Sequence, residues 1–264
     1  MKSAVNLIKE GQLLGFGGNS LHRTPAAFGF ELANRGLKKL KLCNTAQGIA
    51  SDILCAMDAV DTLYFGFFGF ENQYGLAPGM RKGCQEGKIK VMEGPCTAII
   101  AALRASACGV PFMTMAGLWG SQLIDQLPGF YRVVESPFDG TKVVAVKALR
   151  PDYAVLHVHE ADEFGNARIN GSDYQDVLLS RAAAKTIITA EKIVPTKTFQ
   201  DNPKLTSIPH FLVAAVVEAP EGAKPGYCFG LYDTADDAGM KAYQKAVKEN
   251  AVPAYLANVT ERRA

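Results

Sequence analysis

Leu13-Leu14-Gly15-Phe16-Gly17-Gly18-Asn19-Ser20-Leu21-His22-Arg23-Thr24-Pro25 is the stretch on which the fold turns. Leu13 to Phe16 reads as a short apolar strand ending in Gly17-Gly18. Pro25 then opens a helix from Ala26 to Asn34 that Gly36 closes. Proline at the start and glycine past the end is the asymmetry expected of a helix. A strand, a glycine turn and a helix in this order make the first half of a parallel crossover unit.

The alternation continues on both sides. A helix is expected at about 2–10 before the first strand, and Lys39-Leu40-Lys41-Leu42 alternates like a half-buried strand. Next come a helix around 50–58, the strand Thr62 to Gly66, a helix near 78–86 and the strand Ile89 to Met92. Pro95 to Ala107 is an apolar helix that ends at Gly109 and Pro111. Segments 142–147 and 153–158 read as adjacent central strands, with two more at Lys185 to Thr189 and Val213 to Val217. Ala235 to Asn250 is the last helix, with Thr234 and Asp237 as a near capping box. The pattern predicts an α/β fold with a doubly wound, mostly parallel sheet that receives ligands at its strands' carboxyl ends. One domain over 1–264 is expected, with a lid-like excursion in the Gly/Pro-rich stretch 116–140.

Composition narrows the function. The 264 residues are 48% hydrophobic and 20% charged, which suits a globular domain rather than a disordered or fibrous chain. Twenty-eight basic against 26 acidic residues leave a formal charge of +2, too little to draw nucleic acid or an anionic membrane. No apolar run reaches the ~18 residues of a spanning helix. Met1 to Glu10 lacks the apolar core of a signal peptide, so a cytoplasmic protein is expected. The six cysteines form no C-x-x-C pair. Cys43, Cys55 and Cys108 fall in apolar stretches and read as buried, whereas Cys96 sits at a helix start, where a thiol can be activated.

Several constellations could carry chemistry, each with a structural alternative. Backbone N–H groups of the loop Gly17, Gly18, Asn19 and Ser20 could cradle an oxyanion, with Arg23 as a neighbouring cation. The alternative is a tight turn that needs positive φ, with Arg23 solvated. The G-x-G-G spacing fits neither a dinucleotide nor a P-loop fingerprint. His157-Val158-His159 places two imidazoles on one strand face, as metal ligands or as a polar strand end. Glu93, ending a strand before Gly94-Pro95, is either a nucleophile or base, or a helix-start acid. Glu71, Asn72 and Arg81 line a pocket or solvate a turn. In the run Tyr64 to Phe70, period-2 geometry sends Phe65 and Phe67 inward and leaves Phe68 and Phe70 for a partner contact.

These residues together resemble the A subunits of family I CoA-transferases, in the glutaconate CoA-transferase branch. The resemblance rests on Gly17-Gly18 with Pro25, on Gly75-Leu76-Ala77-Pro78 with Arg81, and on Glu93 before Leu103-Arg104-Ala105 and Gly109-Val110-Pro111-Phe112. It is most specific in Pro151-Asp152-Tyr153-Ala154, Ala161-Asp162-Glu163, Gly165-Asn166-Ala167, Ala182 to Lys185 and Thr189 to Val194. It implies a three-layer αβα arrangement and a heteromer with a B subunit of similar fold. The B subunit's glutamate, in a Ser-Glu-Asn-Gly context, would pass through an anhydride to a glutamyl-CoA thioester. This chain has no such segment; Phe70-Glu71-Asn72-Gln73 comes nearest. On the resemblance, the Gly17-Gly18-Asn19 loop supplies the oxyanion hole, and CoA is a thioester substrate with no permanently bound cofactor and no metal.

Asn19 and Arg23 stand where oxoacid transferases carry a different glycine pattern, which points to the glutaconate-like branch. Arg23 is then expected near the remote carboxylate of a dicarboxylic acid. A related branch, the ring-opening hydrolases, uses an A-subunit glutamate at the place of Glu93. A third reading, a sugar-phosphate-binding module, finds only His22 and Arg23 beside the loop.

Overall fold

A computed structural model of the chain describes residues 1–261. A short helix α1 (Lys2–Val5) precedes β1 (Leu13–Phe16), and α2 (Ala26–Asn34) leads to β2 (Leu40–Gln47). Then come α3 (Ile49–Ala56), β3 (Val60–Phe68), α4 (Glu71–Tyr74), α5 (Pro78–Gln85), β4 (Lys90–Glu93) and α6 (Cys96–Ala107). An excursion follows, with β5 (Phe112–Met115), α7 (Leu123–Gln126), β6 (Tyr131–Glu135) and β7 (Lys142–Lys147). The chain returns through β8 (Tyr153–Ala161), β9 (Ala167–Arg168), α8 (Asp176–Ala182), β10 (Lys185–Ile193), α9 (Lys197–Asp201) and β11 (Val213–Glu218). Helices α10 (Asp237–Lys248) and α11 (Val252–Glu261) close it.

The main sheet runs β11-β10-β8-β1-β2-β3-β4, every neighbouring pair parallel, with β9 antiparallel on β8. The chain winds outward from β1 through β2, β3 and β4, then returns to β8 on the other flank of β1. The expected doubly wound, three-layer sheet is thus present. The switch point lies between β1 and β8, where open α/β sheets receive ligands. The Gly17–Ser20 loop leaves the sheet at that point.

Two apolar cores cover the two faces. One contains Phe28, Phe30, Ile53, Leu54 and Tyr243 under α2, α3 and α10; the other contains Ile99, Leu103, Tyr131, Val146 and Leu179 under α6 and the excursion. On the first face, buried Asp52 accepts hydrogen bonds from Gly79 N (3.1 Å), Met80 N (2.6 Å) and the Tyr243 hydroxyl (2.7 Å). One carboxyl thereby ties α3, α5 and α10 together, and its burial pushes its pKa up to about 6.

Three expectations are corrected. Segment 142–147 is no central strand: β7 is the middle of a separate antiparallel sheet, β5-β7-β6. Its apolar run is real, because Val144, Ala145 and Val146 are buried, but against α6 rather than inside the main sheet. The first helix stops at Val5 instead of about residue 10, and the helix expected as the last, Ala235 to Asn250, is α10, which begins at Asp237, with α11 following it. The cap of α10 is Asp236, whose side chain accepts the Gly239 N–H at 3.0 Å, not Thr234. Among the described residues no helix is long and apolar enough to cross a membrane.

Candidate active site

The glycine loop is shaped by close approach. A Cβ on Gly17 would lie 2.5 Å from a Leu156 methyl and 2.8 Å from Asp176 Oδ1, and Gly18 has φ +75°. The loop's N–H groups, however, all have acceptors within the chain. Gly17 donates to Val155 O (2.8 Å), Gly18 to Asp176 Oδ1 (2.8 Å), Asn19 to His22 O (2.9 Å) and Ser20 to Ala46 O (3.2 Å). The loop is therefore a tight, fully bonded turn, and its backbone offers no free donor to an oxyanion. The partly exposed Asn19 carboxamide makes no hydrogen bond among the described residues and is the polar group the loop turns outward.

Arg23 also corrects the sequence reading. Its side chain is 0% exposed and meets Asp176 at 2.7 Å. The guanidinium donates as well to His157 O (2.9 Å) and Ser172 O (2.7 Å). With its charge enclosed and matched, it cannot reach a dicarboxylate's remote end. It is an internal brace whose partner, Asp176, fixes the Gly18 N–H. The signal was invisible locally, because Asp176 lies 153 residues away.

Backbone strain gathers around this loop. Ser20 (φ 52°), Arg23 (φ 51°), Glu71 (φ 56°) and Tyr174 (φ 45°) all adopt left-handed conformations that cost L-residues energy. Contacts link them: Ser20 Oγ donates to Gly69 O at 2.6 Å, and the Arg23 guanidinium lies 5.8 Å from the Tyr174 ring centre. Glu71 is exposed on the rim, and its charge acts on Tyr174 and Tyr227. His22, 4% exposed, lies against the Tyr174 and Tyr227 rings and accepts the Phe229 N–H at 3.1 Å. Burial, then the charges of Arg23 and His159, lowers its pKa to about 4.

Behind the loop, the two imidazoles of His157-Val158-His159 secure the segment 219–232. His157 bonds Glu191 at 2.7 Å and Thr189 at 2.9 Å; His159 bonds Phe229 O at 3.0 Å. Glu191 also accepts from the Tyr232 hydroxyl (2.5 Å) and Glu221 N (2.7 Å). Burial raises the Glu191 pKa, but these bonds outweigh it and hold the group below its usual value. The donor atoms of His157, Glu191 and Cys228 lie within 4.8 Å of one another, a spacing a metal ion could use. His157 and Glu191 already have these protein partners, and the Cys228 thiol lies 3.5 Å from His159 Nε2.

The other half of the carboxyl edge is open. Glu93 ends β4 with an exposed side chain, and its carbonyl accepts the Tyr131 hydroxyl at 3.0 Å. Strands are about 4.8 Å apart, so three spacings put Glu93 roughly 14 Å from the end of β1, although Ser20 of the loop reaches across to Gly69 beyond β3. The structure brings Gly17, Gly18, Asn19, Ser20, Arg23 and Glu71 together, and Glu93 stands at the end of β4, three strands over from β1. Helix α6 starts three residues after Glu93 with no side-chain cap and no acid in its first turn. The N–H groups of Cys96 and Thr97 have no acceptor among the described residues. The exposed Cys96 thiol lies 3.6 Å from Thr45 O, and Cys108 is exposed rather than buried. Gly66 is what lets β3 approach: a Cβ there would stand 2.7 Å from both Cys96 N and Sγ. This open first turn was legible only as "Pro95 then helix"; its proximity to Gly66 was not.

Phe67 is the exposed aromatic here, at 39%, whereas Phe68 (2%) and Phe70 (0%) are core. Phe65 packs against the first core as expected, but Phe67, Phe68 and Phe70 take the opposite sides from those expected. Two concavities are present, of about 400 Å³ beside Phe164 and Phe199 and about 240 Å³ beside Lys41 and Phe130. Neither is lined by Glu93, Cys96 or the glycine loop.

A coenzyme A transferase family model matches residues 1–219. The chain belongs to the coenzyme A transferase family. It is 30% identical to the A subunit of glutaconate CoA-transferase from Acidaminococcus fermentans, over 94% of this chain and 82% of that one. The crystal structure of the glutaconate enzyme from that organism superposes with a TM-score of 0.91, covering 97% of this chain and 86% of that one at 29% identity. A structure of the decarboxylase AibA/AibB gives 0.89 at 29% identity, over 98% and 96% of the two chains. The IpdA subunit of a cholesterol ring-cleaving hydrolase from Rhodococcus jostii is 29% identical over 84% of this chain and 79% of that one. The chain spans half the length of a protein of Archaeoglobus fulgidus to which it is 35% identical over 85% of its own length.

Proposed function

We propose that this chain is the A subunit of a heteromeric CoA-transferase that moves CoA between an acyl-CoA and a carboxylic acid, dicarboxylic acids included. The observation that carries the proposal is the open first turn of α6, held beside Gly66 on a carboxyl edge where Glu93, Cys96 and Phe67 are exposed. Acyl transfer needs a nucleophile, donors for the tetrahedral oxyanion and exclusion of water. The α6 N–H groups meet the second need, and the exposed edge leaves the first and third to a partner.

The partner is a B subunit of similar fold. Its glutamate carboxylate attacks the thioester carbonyl, expels CoA as thiolate and becomes an acyl-glutamyl anhydride. The thiolate then attacks the glutamyl carbonyl, the first acid leaves as carboxylate, and glutamyl-CoA remains. The acceptor carboxylate reverses both steps, so no proton is consumed. CoA enters as the thioester substrate and no cofactor stays bound. Six free cysteines support a cytoplasmic setting.

The test is to purify the tagged chain from its source and identify what copurifies. A stoichiometric partner carrying the Ser-Glu-Asn-Gly glutamate is the expected result, and a lone chain would sink the proposal. Exposed Glu93 beside α6 favours one second reading, CoA-thioester hydrolysis with Glu93 as the acting carboxylate. Glu93→Gln separates the two: it abolishes hydrolysis but leaves transfer within a few-fold.

A further inference from the structure

The cavity of about 400 Å³ lies away from every group assigned above, yet on the same edge of the sheet. One wall is the turn after β8 and the other is the α9 segment after β10, so both follow carboxyl ends of parallel strands. Its volume falls within the range of small-molecule sites.

The β8 wall is rigid. Buried Asp162 accepts the N–H groups of Phe164 (3.1 Å), Gly165 (2.9 Å) and Asn166 (2.9 Å), and the Asn166 carboxamide at 2.8 Å. Four bonds to one carboxylate freeze a five-residue turn whose tip is Phe164, 62% exposed. A large apolar ring held in solvent by so fixed a support costs hydration without a compensating contact inside the chain. Phe199, 4% exposed, forms the floor, backed by the Arg168 guanidinium 5.0 Å from its ring centre. Gln200, Thr196 and Thr206 also line the cleft, and their side chains have no hydrogen-bond partner among the described residues. No carboxylate lines it. Lys204, adjoining the lining residue Pro203, makes no ion pair among the described residues, whereas Lys197 is paired with Asp201 at 2.9 Å.

An exposed aromatic face, free amide and hydroxyl groups and an unpaired cation together suit a flat heteroaromatic ring carrying phosphate. His210 closes the rim, with its ring Nδ1 3.3 Å from Asn166 Oδ1, so the one imidazole of the lining is held by the rigid turn. From β10 to β3 is four strand spacings, roughly 19 Å, a span for a pantetheine arm. We infer that this cleft binds the adenosine-phosphate end of the CoA thioester, with Phe164 stacking on the adenine and Lys204 meeting a phosphate. The inference rests on the CoA reading of the site for its ligand, but not for its geometry.

Two measurements test it. In the enzyme purified with its partner, Phe164→Ser should raise KM for acyl-CoA about tenfold, as loss of one stacked base does. It should leave kcat within twofold and leave KM for the matching acyl-pantetheine thioester unchanged. Lys204→Glu should raise the acyl-CoA KM alone. An unchanged KM for acyl-CoA overturns the inference. Loss of the copurifying partner at unchanged KM also overturns it and makes Phe164 a contact between subunits. If the wild-type enzyme turns over no CoA thioester, the functional reading fails. Calorimetry with adenosine 3′,5′-bisphosphate on the full chain then still decides the cleft. Binding that Phe164→Ser abolishes supports it, and no binding to the wild type refutes it.

Discussion

The two halves of the sheet's carboxyl edge are built on opposite plans. Around β1, β8 and β10, polar groups face inward and find partners: Arg23 with Asp176, His157 with Glu191, and every N–H of the glycine loop with an oxygen of the chain. Around β3, β4 and α6, Glu93, Cys96 and Phe67 face outward, and a helix begins without a cap. A region whose polar groups bond chiefly within the chain can hold a shape but has few hydrogen bonds to offer a reacting group. An open one can offer them, provided something else keeps it in place. The first half reads as the anchor and the second as the working surface.

The largest expected effect breaks the anchor. Arg23→Ala leaves Asp176 charged and buried, and removal of one partner from such a pair costs about 3–5 kcal/mol. Urea unfolding should show that loss, and a loss below about 1 kcal/mol would mean the loop stands on other supports. This replaces the selective effect on dicarboxylate KM that the sequence alone suggested. Next is Gly66→Ala, which puts a methyl 2.7 Å from Cys96 N on the working side. Blocking one oxyanion donor lowers kcat about 10²-fold or more, so turnover should fall while the circular dichroism spectrum keeps its shape. Unchanged turnover would remove the α6 first turn from the chemistry.

How much of this was legible depends on how far apart the deciding residues lie. Pro25 and Gly36 punctuate α2 locally, and the helix runs from Ala26 to Asn34 as read. The parallel sheet followed from alternation, because crossover units repeat that pattern whichever strand comes next. Segment 142–147 misled because a β-branched run looks alike in a central parallel strand and in β7; only its partners Phe112 to Met115 and Tyr131 to Glu135 distinguish them. A tight turn was one of the two readings of the loop's glycines, and the choice between them depends on the destination of their N–H groups, Val155 and Asp176, far along the chain. Arg23 and Glu93 were both candidate site charges on paper. Burial alone separated a brace from an exposed acid, and burial belongs to the fold.

A smaller effect, about 2 kcal/mol, should appear as pH dependence confined to the anchor. His22 has a folded pKa near 4 against 6.5 unfolded, so the native state prefers it neutral. Its contribution is complete above pH 6.5 and is lost as pH falls from there toward 4, because the unfolded chain takes up the proton first. Between pH 7 and 5 the wild type should lose about 2 kcal/mol more than His22→Asn, measured by urea titration at both values. Parallel slopes would place His22 in contact with solvent and loosen the closed half.

The smallest effect on stability, and the sharpest test of the comparison, belongs to Phe67. At 39% exposure it contributes little to the core, so Phe67→Ser should change stability by less than about 0.5 kcal/mol. Three residues on, Phe70 is fully buried against Tyr243, and Phe70→Ala should cost about 3–5 kcal/mol. Phe67 lies one residue before the end of β3 on the working side, next to Gly66, and any partner that seals that edge must cover it. Its replacement should weaken copurification of the partner or raise KM for the acyl substrate, with unfolding unchanged. Full activity and full assembly in Phe67→Ser would mean that the chemistry is sealed elsewhere, and the open half would lose its claim to be the working surface.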